Sequence, residues 1–339
     1  MAYTTINKGS LYMNPVLYTG NGSDGHAITG VGFQSDMTWI KQRSGTENHC
    51  IFDVVRGSTE RLSPDTTGAS WDSSTNVQSF DSDGFTLGTS NQLNASSATQ
   101  VAWNWKAGGT ASSNTDGTIT SSVSANTTSG FSVVSWTGTG ATATVGHGLG
   151  TTPKLFIVKE TSEARNWPVV TTAIDGSWDS LYLNLTDTAG SSPQSADSSV
   201  FNFTSSNEFN ASGQTYVSYC FANKAGFSRM GSYVGNGSAD GTFVYTGFKP
   251  AFVMLKSSSN VTEWIMHDND RLGYNGGNQP LFPNNSGAED ANSRIDLLSN
   301  GFKLKDSSVH WNGSGYSFIY LAIAESPIVG TNGVPATAR

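Results

Sequence analysis

The sequence predicts an all-β protein of three tandem β-sandwich repeats, jelly-roll-like and roughly 95 residues each. The first observation behind this is a block that occurs three times without a gap, over 18–41, 136–159 and 233–256. Each copy opens on an aromatic residue (Tyr18, Trp136, Tyr233) and closes 23 positions later on a lysine (Lys41, Lys159, Lys256). Glycines fall in register at Gly20, Gly138 and Gly235, then at Gly22, Gly140 and Gly237, then at Gly32, Gly150 and Gly247. Three ungapped copies mark an internal duplication rather than a Gly-rich composition. The second observation is the shortness of the apolar runs: 155–158 and 252–255 are bounded by turn residues and are too short for helices. The third is a polar content drawn from Ser, Thr and Asn, with only 13% charged residues, which favours strands and turns.

Taken in order, residues 1–14 read as an N-terminal arm, either anchoring the chain to a partner or leading into the first strand. Repeat one covers 15–109. Its Gly-x-Gly after Tyr18 supplies the positive φ of a tight turn. A later glycine, followed by Pro153 and Pro250 in copies two and three but by Ser35 in copy one, bends the chain into the apolar run. Segments 50–55 and 79–87 follow, then a closing strand over 100–105 whose Val101, Trp103 and Trp105 place one apolar face on a period of two. Residues 110–129 carry only Ile119 and Val123 as large apolar side chains, so they read as a Ser/Thr/Gly-rich linker with room for one edge strand. Repeat two covers 130–225, with strands expected at 167–170, 180–185, 200–203 and 215–221. Repeat three covers 226–327, with strands at 263–268, 295–304 and 316–324. The window 287–299 has some helical pattern but reads better as a strand. A turn tetrad precedes each closing strand: Asn94-Ala-Ser-Ser, Asn210-Ala-Ser-Gly and Asn312-Gly-Ser-Gly. The motif Gly84-Phe-Thr-Leu recurs as Gly301-Phe-Lys-Leu and is missing from repeat two. Residues 328–339 are expected to form a frayed tail.

A net charge of −8, a pI near 5.0 and the lack of any Lys/Arg run give a nucleic-acid role little electrostatic support. No apolar stretch approaches the roughly 20 residues of a spanning helix, so membrane insertion is not expected. The polar start reads as no signal peptide, and synthesis in a cytoplasm without general secretory export is expected. Cys50 and Cys220 sit in apolar runs of different repeats and read as free buried thiols.

Candidate chemistry is sparse. Asp81, Asp83 and Gly84 approach a calcium loop but lack its later acidic positions, and a plain turn accounts for them. The five histidines (His26, His49, His147, His267, His310) show no ligand spacing and read as surface or strand residues. The Gly-rich stretch from Gly146 is followed by no helix that could cradle phosphate, so it reads as a hairpin turn. Asn-x-Ser/Thr triplets follow from composition. The expectation is therefore no catalytic residue, no cofactor, no metal and no enzyme. One binding feature stands out: Trp71 beside Asp72 and Trp178 beside Asp179 lie in turn-rich spans where a large ring is less expected. Rings that stack on sugar faces next to hydroxyl-accepting carboxylates make Trp71 and Trp178 speculative glycan contacts.

The segments 18–23, 32–41, 80–88, 101–109, 115–121, 125–128, 145–159, 233–256 and 298–304 together follow a "YTGNGS…GFxPxFVxIK…FDSDGFTLG…YVAWCWKAGG" pattern. In these the chain resembles a family of repeat-containing tail-fibre and virion structural proteins of tailed bacteriophages, especially those of marine bacteria and cyanobacteria. The resemblance implies a virion location, synthesis in the host cytoplasm and no enzymatic activity. It assigns no binding residue. The expected function is a non-enzymatic tail-fibre or other appendage contacting a host-surface glycan or receptor, a homotrimer attached to other virion proteins. The alternative is a capsid decoration or a tail or connector subunit that binds only other virion proteins. A glycan-cleaving tailspike ranks third, for want of a carboxylate pair.

Overall fold

In the computed structural model, which describes residues 4–271 and 279–329, the same strand order is laid down three times. An opening strand (Met13–Thr19, Phe131–Thr137, Ser228–Val234) pairs antiparallel with the closing strand of its own module (Thr99–Trp105, Thr215–Phe221, Ser317–Pro327). The closing strand pairs on its other side with the strand bearing the repeat lysine (Met37–Gln42, Leu155–Glu160, Phe248–Ser257). A fourth strand (Cys50–Asp53, Pro168–Thr171, Ile265–Asp268) extends each of these sheets. One face of each is covered by a three-stranded sheet. Its edge strand is His26–Thr29, Ala143–Gly146 or Phe243–Tyr245, and its middle strand is Gly84–Leu87, Val200–Phe203 or Gly301–Leu304. Pairing first with last and second with next-to-last is the jelly-roll nesting, so the all-β sandwich expectation holds. Among the described residues helix is confined to single turns at Gly9–Leu11 and Asn91–Asn94.

Each large sheet is buried on both faces. Toward its own small sheet, module one packs Ile28, Ile40, Phe52, Phe85 and Leu87, and module two packs Trp136, Phe156, Phe201 and Phe203. The opposite faces converge on one centre, where Trp39 and Trp105 of module one, Ile157 and Phe221 of module two, and Phe252 and Met254 of module three meet. The ring of Trp105 lies 5.6 Å from Phe252 and 6.4 Å from Phe221, centroid to centroid. A cavity of about 10 Å³ remains there, at the lower limit for holding one water. Full burial of such side chains is worth about 1.5–3 kcal/mol each, enough to bind the modules together. The closing strand of module one therefore differs from the one-faced strand expected: Gln100, Ala102 and Asn104 are as buried as Val101 and Trp103. The expectation assumed a sheet with one face in water, and here both faces are covered.

One flanking segment is corrected and the other is placed against its own chain. Residues 110–129 are no free linker: Ser112–Asn114 and Ser121–Asn126 form two strands that widen the large sheet of module two. Ile119 and Val123 suffice because a strand added to an existing edge needs only one buried face. The N-terminal arm, of which residues 1–3 lie outside the described residues, docks on its own chain, with Ile6 buried in the common core and the turn Gly9–Leu11 against the closing strand of module three. His49 and His147 are neither at the surface nor in strands but fully buried in connecting segments, whereas His267, also buried, is a strand residue as expected. Of the window 287–299 only Ile295–Leu298 is strand, and 287–294 are without regular structure; the expected tail lies outside the described residues from residue 330 on.

Candidate functional site

The residues that recur between modules meet in space, and each set does the same structural job. The aromatic at the head of each block donates to the carbonyl just before the repeat asparagine: Tyr18 to Leu93 at 2.8 Å, Trp136 to Phe209 at 3.1 Å, Tyr233 to Trp311 at 2.7 Å. That asparagine is fully buried in every module. Its Oδ1 accepts the N–H in the middle of the Gly-x-Gly turn, from Asn21 at 2.9 Å, Thr139 at 2.8 Å and Asn236 at 3.0 Å. The first glycine must be glycine, because a Cβ on Gly20, Gly138 or Gly235 would lie 2.2, 2.2 or 2.3 Å from a carbonyl oxygen of the asparagine turn. The turn tetrad and the Gly-x-Gly, read in the sequence as separate markers, are the two halves of one clamp.

The repeat lysines form a second such set. Each is fully buried, and its ammonium donates into the loop that follows its strand. Lys41 reaches the carbonyls of Gln42 and Gly45, Lys159 those of Glu163 and Arg165, and Lys256 those of Ser257 and Asn260. Desolvation pushes all three down to about 8. Lys159 also reaches across to the carbonyl of Thr67 in module one at 3.2 Å.

The modules contact one another in a closed ring. Tyr219 of module two donates to Asp53 of module one at 2.8 Å, and Trp103 of module one donates to Asp268 of module three at 2.8 Å. Each of these aspartates also holds an arginine three residues on, Arg56 and Arg271, at 2.7 Å. Trp167 of module two donates to the Thr66 carbonyl of module one, and Trp264 of module three to the Tyr182 carbonyl of module two. An ion pair between Arg43 and Glu289 at 2.6 Å closes module one on module three.

Three grooves open along these junctions, each between one module's outer strands and a turn of its neighbour. The first, of about 620 Å³, sets Ser113, Ser122 and Ser135, which sit side by side across three strands, against Arg56 and Glu60. The second, of about 630 Å³, gathers Lys154, Lys224, Arg229 and Asp175. The third, of about 480 Å³, lies between Leu17 and Asp270, whose carboxyl is pushed up to about 6 by desolvation and then by Asp268. Equivalent places in the fold thus carry three different chemistries: hydroxyl, basic and mixed.

A family model described as a domain of unknown function, DUF7483, matches residues 8–327. The chain belongs to that family. No curated protein and no solved structure matches it. In this DUF7483 chain the two expected glycan contacts are placed very differently. Trp71 is 51% exposed on the outermost strand of the first large sheet, with the Arg61 guanidinium 4.4 Å from its ring centroid. Trp178 is half-buried against the sandwich core of module two, 5.8 Å from Phe156. They belong to different modules and do not form one site. Among the described residues of the DUF7483 chain no group of His, Cys, Asp or Glu is arranged to hold a metal, and no helix is long and apolar enough to cross a membrane. Cys50 and Cys220 are free and buried, their thiols pushed up to about 12 by desolvation. Sequence reasoning missed the aspartate–arginine pairs, although a signal existed: Asp-x-x-Arg recurs at 53–56 and 268–271, at the same offset that separates Lys41 from Lys256.

Proposed function

We propose that the chain is a non-enzymatic bacteriophage virion protein, a tail-fibre or other appendage whose outer loops and grooves contact the host surface. One observation carries this reading: the aromatics, lysines and asparagines that recur in all three modules are buried or partly buried and spent on clamps and cages, while the three grooves, which open at equivalent places, are lined differently. A duplicated scaffold that keeps its clamps and varies its grooves presents surface. The sequence resemblance supplies the virion context, and the low charge with abundant hydroxyl and amide groups suits a neutral glycan. Trp71 is the glycan contact in this reading, since one of its faces rests on Arg61 and its surface is open. The assembled state is a homotrimer attached to other virion proteins. The experiment is adhesion of the purified chain to host cells and to surface glycans, with Trp71→Ala beside it. Adhesion that falls in the variant with an unchanged unfolding midpoint supports the reading. Adhesion to neither target moves the chain to the capsid-decoration or connector class, which copy number per particle then distinguishes.

A further inference from the structure

The edge strands of the three small sheets are equivalent in the fold, and the chain treats them differently. In module two the edge strand Ala143–Gly146 is covered by the chain itself. The N–H of Ile119 donates to the Thr144 carbonyl at 3.0 Å, Thr118 and Thr144 exchange N–H to Oγ1 bonds of 2.9 Å, and Ile119 bridges Val145 in parallel. Gly117 passes so close that a Cβ there would lie 2.4 Å from the Thr144 oxygen. The outward backbone groups of Thr144 are thereby satisfied.

The residue equivalent to Thr144 in module three is Phe243, each lying opposite the residue that follows the middle-strand phenylalanine. The Leu304 N–H bonds to the Thr242 carbonyl and the Thr246 N–H to that of Asn300. In an antiparallel ladder this alternation turns the N–H and C=O of Phe243 and Tyr245 away from the sheet. No described residue bonds the outward groups of Phe243. Its side chain is 45% exposed and that of Tyr245 is 50% exposed, on either side of buried Val244. Module one has only Ala27 and Thr29 at these two positions. Open edges are ordinarily blunted by lysine, proline, a bulge or a covering segment, and the stretch Thr-Phe-Val-Tyr-Thr over 242–246 has none of these.

We propose that the edge strand Phe243–Tyr245 is a docking site for an extended segment of a partner polypeptide, added to the small sheet of module three as 117–119 is added to that of module two. The covering segment of module two defines the chemistry of the occupant. It needs a glycine for close backbone approach, a threonine to return side-chain bonds to the edge, and a β-branched residue at the bridging position. Phe243 and Tyr245 add apolar contact that the module-two edge lacks. The proposal stands independently of any virion role.

The test uses a synthetic peptide of residues 115–121, Thr-Asp-Gly-Thr-Ile-Thr-Ser, titrated at millimolar concentration into the isotope-labelled full chain. The expected result is saturable amide shifts confined to 242–246 and the paired 300–304, weakened at least tenfold by Phe243→Pro. Proline removes the half-exposed ring and the outward N–H, neither of which the sheet's own ladder uses, so the unfolding midpoint should stay in place. Should the proline variant misfold, Phe243→Lys, which blunts the edge without touching the backbone, is expected to give the same loss. Shifts that appear at 26–29 or in the grooves instead, shifts indifferent to both variants, or no shifts at all would overturn the proposal. So would a wild-type dimer that Phe243→Pro dissolves, because the strand would then be a self-association edge.

Discussion

Asn312 offers the sharpest test of the clamp. Its amide is fully buried, with Oδ1 accepting from the Asn236 N–H at 3.0 Å and the Thr242 hydroxyl at 3.2 Å. Its Nδ2 donates to the Ser238 carbonyl at 2.8 Å and to Asn236 Oδ1 at 2.6 Å. Asn312→Ala strips these bonds and leaves an N–H and a carbonyl of the glycine turn without partners. At about 1–3 kcal/mol for each group left unsatisfied, and with Ser238 able to recruit water, the expected loss is about 2–4 kcal/mol. Asn312→Asp keeps the shape and the Oδ1 contacts but points a second oxygen at the Ser238 carbonyl. At neutral pH that oxygen is charged and repelled, so the loss should exceed that of the alanine variant. Burial raises the folded pKa of the new carboxyl above its unfolded value of about 3.9. The folded aspartate variant therefore binds the extra proton, and its stability relative to wild type should recover as pH falls toward 4, where a protonated oxygen can again donate to Ser238. Urea unfolding followed by tryptophan fluorescence, measured for all three proteins from pH 4 to pH 8, reads this directly. If both variants stay within roughly 0.5 kcal/mol of wild type, or if the aspartate deficit ignores pH, the asparagine does not hold the turn.

The buried lysines carry their own pH signature. With folded values near 8 against an ordinary 10.5, the unfolded chain binds more protons between them, so these groups should add stability as pH climbs through that window. Lys159→Met should flatten that part of the profile, and an unchanged slope would count against a buried ammonium. Gly84→Ala puts a Cβ 2.0 Å from the Ile28 carbonyl at a φ of +148°, and Gly301→Ala puts one 2.0 Å from the Val244 carbonyl at an ordinary φ. Each should cost about 2–4 kcal/mol by denaturant unfolding, whereas an alanine tolerated at either place would contradict the packing. Tyr219→Phe removes the hydroxyl between Asp53 and Arg56 yet leaves their ion pair, and a loss of about 1–2 kcal/mol is expected. A neutral result would mean that the ion pair alone secures the junction.

How far the fold could be read depended on whether a signal was local. The aromatic, glycine, lysine and asparagine markers were legible because each answers a steric or hydrogen-bonding demand repeated at a fixed offset. The Gly-Phe-Thr-Leu element looked lost from repeat two for a physical reason. The middle strand there begins with Val200, and the glycine across the ladder, Gly146, instead makes room for the Asn114 side chain ahead of the covering segment. Residues 110–129 were misread because composition cannot show that a neighbouring edge completes a strand. The two-sided burial of the closing strand was hidden for the same reason: Gln100 and Asn104 look like a solvent face until the small sheet of their own module covers it. At the candidate site, the exposure of Trp71 was legible from its turn-rich surroundings, while Trp178 sat in a similar context and packs on Phe156.

The ring of modules explains why three similar units do not exchange places. The closing-strand position that holds Tyr219 and Trp103 in modules two and one holds Leu321 in module three, and the position of their partners Asp53 and Asp268 holds Thr171 in module two. Two junctions match a donor to a buried carboxylate, and in the third the Thr171 hydroxyl bonds within its own module, to the Lys154 carbonyl. Setting Leu321 against Asp53 would leave a carboxylate oxygen short of a donor at about 1–3 kcal/mol, and Tyr219 against Thr171 would bury a hydroxyl whose partner is already engaged. Each module is thereby specified for one neighbour, and Arg43 with Glu289 closes the ring within a single chain. Those faces are occupied within the chain, so the homotrimer proposed above would have outer strands and loops to assemble through, the same surface on which Trp71 and the bare edge of module three lie.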